Sequence, residues 1–349
     1  MELDSMLATV KRTAALAALC GLGITLAGPA AAQTTLTMSS WVPPGHAVTR
    51  SLVTWAQDVE KATNGRIKGT MLPKAVSAAT GTLDAVREGL VDVSFVSHGY
   101  TPGRFVLTKV AEFPFLGDSC EINAVAYNRI YERYLAKAID SKGLKVLAAF
   151  THGPGEIMNT KRPVTSIADL AGMKIRVGGG MVSDVAKALG VNALLKPAPE
   201  SYELLSTGVA DGTFFPAEAI IPFKLEKVIK YVTHVPGGLY NTSFAALMNE
   251  DRFNKFPKQD RDAIVSVSGE RLARLIGKTW SAVDKAGTEA MKANNIQLIY
   301  ASPALVKEIQ QKTASIEQEW IKEANSRGVD GAKVLAALRE EIKKVAAGQ

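Results

Sequence analysis

The chain has 349 residues, 47% of them hydrophobic, and a formal net charge of +7. Its length suits two domains with a substantial core. The positive excess raises nucleic-acid binding as an idea, but the basic residues are interspersed with acids. No Arg/Lys-rich block interleaved with aromatics occurs, which excludes nucleic acid as a partner and leaves a mild field that attracts anionic solutes.

The chain opens with Lys11 and Arg12, an apolar run over 13–28, and then Pro29-Ala30-Ala31-Ala32-Gln33. A basic start, an apolar stretch and small residues at Ala30 and Ala32 form a secretory signal over 1–32, cut before Gln33. The run is too short and too rich in Ala and Gly to anchor the protein in a membrane. Leu19 before Cys20 argues against a lipid anchor, and the Lys-Arg pair argues against twin-arginine export. The expected location is the periplasm. Removing the signal leaves Cys120 as the only thiol, without an internal disulfide partner, and it is expected to be a buried small hydrophobe.

Beyond the signal, residues 34–39 read as a strand and 48–62 as a helix that Asn64-Gly65 stops. A strand over 66–72, a helix over 82–88 and a strand over 91–96 follow, and the rhythm resumes from Lys145. This alternation predicts α/β units on largely parallel sheets. Segment 83–95 matches segment 202–214: each reads as a helix, a glycine (Gly89, Gly208), two apolar residues, an aspartate (Asp92, Asp211) and a strand carrying Ser/Thr-Phe. The match predicts one structural unit used once in each of two lobes. The equivalent strand ends, Ser97-His98 and Phe215-Pro216-Ala217-Glu218, then face one cleft, because ligands of open α/β sheets bind beyond the carboxyl ends of strands. From 258 to 295 the pattern is helical throughout, with Gly269 and Gly277 interrupting it without ending it. A helix of about 35 residues would reach about 50 Å, enough to lie across both lobes. Helices over 303–326 and 332–347 complete the chain.

No metalloprotease, nucleophile-elbow, Cys-x-x-Cys or P-loop motif occurs, and the four histidines have no metal-ligand spacing. The expectation is a non-enzyme without cofactor or metal. Gly178-Gly179-Gly180, between a strand over 173–177 and a helix over 182–189, resembles a dinucleotide fingerprint whose third glycine is missing. Pro197 and Pro199 crowd the strand end before the candidate ribose acid, Glu200, and export makes a nicotinamide improbable. Arg176 is the better clue. At a strand end before a glycine-rich turn it presents a planar fork for a carboxylate, and the following helix N-terminus is expected to favour the anion as well.

Residues 167–177, Ile-Ala-Asp-Leu-Ala-Gly-Met-Lys-Ile-Arg-Val, resemble a signature of the solute receptors of tripartite ATP-independent periplasmic (TRAP) transporters, the DctP-type family. Residues 184–190, 208–212, 88–92 and 240–244 continue the resemblance, as does Trp41. It implies a two-lobed periplasmic binding protein with a hinge, a cleft between the lobes and a long C-terminal helix bridging both. The expected lobes are 33–153 with about 243–282, and 154–242 with about 283–349. The resemblance also implies that Arg176 pairs with a substrate carboxylate, that Ser97, Glu156, Phe215 and Asn241 occupy pocket positions, and that a membrane permease is the partner. Relatives that bind sialic acid carry a second arginine where this chain has Glu156, and an asparagine where it has Phe215. Glu156 would repel a second anion yet accept hydrogen bonds from hydroxyls. Trp41, His98, Tyr100, Phe214 and Phe215 are candidates for an aromatic wall, with Phe214 and Tyr100 equally readable as core. Strand phase turns Phe215 to the cleft and Phe214 away from it. Glu218 is a further candidate, unless it only starts a helix. The expected ligand is therefore a small monocarboxylate with an apolar or aromatic body, with or without hydroxyls, captured by a monomer through hinge closure. An exported ligand sensor and a small-acid enzyme are the alternatives.

Overall fold

Strand β1 (Thr34–Met38) buries Leu36 and Met38 on one face while Thr35 and Thr37 point to the other. Helix α1 (Ala47–Ala62) then buries Val48, Leu52, Trp55 and Val59, apolar residues three and four apart. Asn64 and Gly65, both at positive φ, turn the chain out of it. The structure is a computed structural model and describes residues 33–349. The predicted signal, with Cys20 inside it, lies outside the described residues.

The remaining strands are β2 (Ile67–Met71), β3 (Val93–Ser97), β4 (Leu144–Thr151), β5 (Glu156–Asn159), β6 (Lys174–Val177), β7 (Asn192–Leu195), β8 (Gly212–Phe215), β9 (Tyr231–His234), β10 (Ser243–Asn249) and β11 (Gln297–Tyr300). Two sheets result, ordered β2-β1-β3-β10-β4 and β11-β9-β5-β8-β6-β7. Within the first, β1, β2 and β3 are parallel, and β10 runs antiparallel to both β3 and β4. Within the second, β6, β7 and β8 are parallel, and β5 runs antiparallel to both β8 and β9. Strand for strand, five positions of the second sheet repeat the first.

The repeated segment is the same unit in three dimensions. Helices α2 (Thr82–Arg87) and, later in the chain, the one over Ser201–Ser206 each end at a glycine of positive φ, Gly89 and Gly208. Asp92 takes the Thr37 amide on its carboxylate (2.7 Å) and returns its own amide to the Thr37 carbonyl (3.0 Å). Asp211 does the same with Lys174, at 2.9 and 2.7 Å. The aspartate thus clips its strand to the neighbour in both sheets.

Helix α3 (Cys120–Ile130) packs on the first sheet, and α4 (Met181–Ala188) and α5 (Ser201–Ser206) flank the second. The predicted helix over 258–295 is two helices, α6 (Lys258–Ser266) and α7 (Glu270–Ala293). Gly269 stands between them at φ +59°, a conformation open to glycine and costly to other residues, so here the glycine ends the helix. At 24 residues α7 spans about 36 Å. Its start pairs with the first sheet's side through Glu270–Arg129 and through Arg274–Glu121. Farther along, Asp284 accepts the Glu218 amide, 2.9 Å away, from the loop after β8. Helix α8 (Pro303–Ser326) also touches both sides: the Trp320 indole donates to the Val106 carbonyl, and Glu308 accepts the Ile167 amide; α9 (Gly331–Ala346) packs on α3 and α8. Among the described residues no helix is long and apolar enough to cross a membrane.

Candidate functional site

Because the two sheets share a topology, their strand ends meet. The carboxyl ends of β1, β3 and β4 and the start of β10 face the carboxyl ends of β6 and β8 across a cavity. Trp41, Ser97, Arg176, Phe215 and Glu218 line it. At its edge the loops after β3 and β6 touch backbone to backbone. A Cβ placed on Gly99 would stand 2.7 Å from the Gly179 carbonyl carbon, so the cleft is closed.

Arg176 is 2% exposed. Its Nε donates to the Lys196 carbonyl (2.8 Å), and its guanidinium carbon stands over the Phe215 ring, 4.3 Å from the centroid. Among the described residues no carboxylate stands within ion-pair distance of it. A buried guanidinium with its two terminal nitrogens unengaged is costly unless an anion joins it.

The helix N-terminus beyond Gly180 does not serve that anion. Glu112, wholly buried, accepts the Met181 amide (2.7 Å) together with the Ser243 amide and hydroxyl. The first amide of α4 is therefore capped by the chain's own carboxylate, whose pKa burial pushes up against those hydrogen bonds.

The rest of the wall is aromatic. Trp41 stacks on Phe95, with centroids 4.6 Å apart, and donates its indole N–H to the Phe95 carbonyl; Tyr100 tilts against it at 5.5 Å. Phe215 stacks on Phe223 (5.7 Å), and Trp280 from α7 meets Phe244 and the rings of His46 and His152. Glu218, the one acid among the described lining residues, is held by His46 (Nε2 to Oε1, 3.1 Å). The His46 Nδ1 accepts the Val48 amide as the cap of α1, so the proton sits on Nε2 and points at Glu218. Ser97 brings a hydroxyl without a protein partner.

Three predicted site residues stand outside this cavity. Glu156 turns to His234 (3.1 Å) and lines an adjacent cavity with Asp284 and Cys120. His98 binds the Ser243 hydroxyl through Nδ1 (3.0 Å), and burial carries its pKa down to about 3. Asn241 folds its carbonyl oxygen onto the Thr242 amide. Phe214 is core, and its carbonyl accepts the Tyr240 hydroxyl; Tyr100 lines the cavity. Cys120 is buried and donates to Asp284 (3.0 Å), which burial raises to about 8. Sequence reasoning missed His46, His152, Phe223 and Trp280. His152 was within reach of the strand-end rule, since it directly follows β4. Trp280 arrives on a helix remote in sequence and carries no local signal.

Residues 38–323 match the family described as DctP, bacterial extracellular solute-binding protein, family 7. The chain belongs to this family. DctP proteins are solute-binding receptors, and the two-lobed fold with its hinge and bridging helix is that of solved relatives. A TRAP periplasmic solute-binding protein from Bordetella bronchiseptica, solved with bound (R)-mandelate and (S)-mandelate, is 48% identical with a TM-score of 0.87, covering 89% of this chain and 99% of that one. A marine-metagenome TRAP solute-binding protein specific for aromatic acid ligands, solved with 3-hydroxybenzoate, is 31% identical with a TM-score of 0.84, covering 90% of this chain and 99% of that one. The Comamonas testosteroni protein named outer membrane transporter protein TsaT is 30% identical over 328 residues, 93% of this chain and 97% of its own length.

Proposed function

We propose that this protein is the extracytoplasmic receptor of a TRAP-type secondary transporter, which captures an aromatic monocarboxylate in the periplasm and delivers it to the membrane permease without chemical change. The observation that carries this reading is Arg176, buried, stacked on Phe215 and without an acid partner among the described residues. A carboxylate can take its two terminal nitrogens through parallel hydrogen bonds, while Trp41, Phe95 and Phe223 face the ligand's apolar body. A dicarboxylate fits poorly, because the only other charge on the wall is the negative Glu218. Support comes from the ligands of the relatives, mandelate and 3-hydroxybenzoate.

Binding is hinge closure of one lobe (33–153 with about 243–282) on the other (154–242 with about 283–349). The carboxylate docks on Arg176 in the open form, and closing brings the Gly99 and Gly179 loops together. Thermal-shift screening of the refolded protein against benzoates, arylacetates, aliphatic monocarboxylates, dicarboxylates and sugar acids tests the reading. Aromatic monocarboxylates should raise the midpoint, since a ligand at 100 times its Kd adds about 2.7 kcal/mol. A shift with dicarboxylates or sugar acids alone overturns it.

A further inference from the structure

Arg176 explains how the cavity takes an acid, but not three other polar atoms on its walls. His152 Nε2, Glu218 Oε2 and Trp280 Nε1 are buried, belong to side chains that line this cavity, and have no hydrogen-bond partner among the described residues. Buried polar groups are seldom left so. Two acceptors and one donor thus belong to side chains of one cavity wall.

The state of His152 follows from geometry. Its Nδ1 sits against the Gly153 carbonyl oxygen, which can only accept, so Nδ1 carries the ring proton. Nε2 is then a bare lone pair. Burial, with the charge of Arg176 adding to it, carries the histidine pKa down to about 3, so Nε2 stays an acceptor at any physiological pH. The His152 ring lies 6.0 Å from the Trp280 indole, whose N–H is the unpaired donor. On the other side of Trp280, at 5.1 Å, stands His46, which holds Glu218.

Resting on the reading of the site as an aromatic-acid receptor, we propose that His152 and Trp280 form a hydroxyl subsite, which makes the preferred ligand a hydroxylated aromatic acid rather than its deoxy analogue. One hydroxyl both donates and accepts, so it can give its proton to His152 Nε2 and receive the Trp280 N–H. The plain acid leaves both groups dry and unpaired, and sites built to bind a hydroxyl reject the analogue lacking it.

The test is calorimetric titration of the refolded protein with two pairs of acids, mandelate against phenylacetate and 3-hydroxybenzoate against benzoate. The expected result is that the hydroxylated member of at least one pair binds about tenfold to a hundredfold more tightly. In His152→Phe, which keeps an aromatic ring, that ratio should fall to near one, with most of the change in the hydroxylated acid. Trp280→Phe should lower the ratio too, and a merely structural role for either residue would weaken both members of a pair alike. Equal affinities within both pairs in the unaltered protein overturn the subsite, as a trapped water serving both acids would give, and leave the aromatic-acid reading standing. Binding of no member of either pair overturns both.

Discussion

The two sheets are built alike and equipped differently. The shared aspartate clip equates Thr37 with Lys174, and therefore Ser39 with Arg176 two residues on. In the first sheet that position is structural, with the Ser39 hydroxyl accepting the Val76 amide. In the second it carries the buried guanidinium. Their histidines diverge as well: His98 and His152, at the edge of the first sheet, are buried and neutral, whereas His234, at the end of β9, pairs with Glu156 and has its pKa raised by that hydrogen bond. One half supplies the charge and the other most of the aromatic wall, so a duplicated frame brings unlike chemistries face to face.

The largest effect should come from removing the asymmetry. Arg176→Ala is expected to weaken binding of an aromatic acid by more than about a hundredfold, because a charged hydrogen-bonded pair is lost. Arg176→Met should leave the ligand-free protein as stable as before or more so, since a buried unpaired charge goes with the arginine. Calorimetric Kd and the unfolding midpoint of each variant measure the two outcomes; an unchanged Kd would remove the central role of Arg176.

Next is the divergence of the histidines. The folded pKa of His98 and of His152 is depressed, so below about pH 6.5 the unfolded chain takes up a proton at each that the folded chain refuses until about pH 3. Stability present above pH 6.5 is therefore lost as pH falls, by about 2 kcal/mol per histidine at pH 5. His234 has the opposite sign: its contribution is whole below pH 6.5 and lost on raising the pH. Asp284, whose folded pKa is raised to about 8, slopes the other way and gains stability on acidification, so the histidine loss is read by comparison: between pH 7 and 5 the urea midpoint of His98→Asn should move less towards instability than that of the unaltered protein.

The equivalence of the halves gives the third expectation. Asp92→Ala and Asp211→Ala should each cost about 2 kcal/mol, the worth of a hydrogen bond to a charged group. Denaturant unfolding of both variants checks it, and a loss at one aspartate alone would break the symmetry argument.

How much of this was legible in sequence follows from what is local. The Gly-x-x-Asp-strand unit is contained in thirteen residues, so its repetition could be read, and with it the common edge where the site lies. Arg176 and Phe215 follow from strand phase beside that edge. Glu156 was placed at the pocket by the family resemblance alone, and no local signal could show that His234, from a strand paired alongside, holds it toward the adjacent cavity. The helix N-terminus misled for a similar reason: Glu112, almost seventy residues upstream, caps it. Gly269 illustrates a third limit, since an amphipathic pattern continues across a break that only the backbone dihedral reveals.

The smallest expected effect isolates closure itself. Gly99 and Gly179 meet only across the shut cleft, and a Cβ on Gly99 would press to 2.7 Å on the Gly179 carbonyl carbon and 2.8 Å on its oxygen. Backbone cannot move aside as a flexible side chain can, so Gly99→Ala penalises the closed form and leaves an open form untouched. Gly179→Ala is a poorer probe, because that residue sits at φ +83° and any side chain there is strained whether the lobes are open or shut. Overpacking at one contact should raise Kd about tenfold with the ligand-free unfolding midpoint unchanged. The penalty should also fall on the dissociation rate, since the bound complex is the state that strains. A Gly99→Ala protein that loses ligand-free stability instead would mean that the two loops touch in the resting molecule as well, and that closure does not wait for the acid.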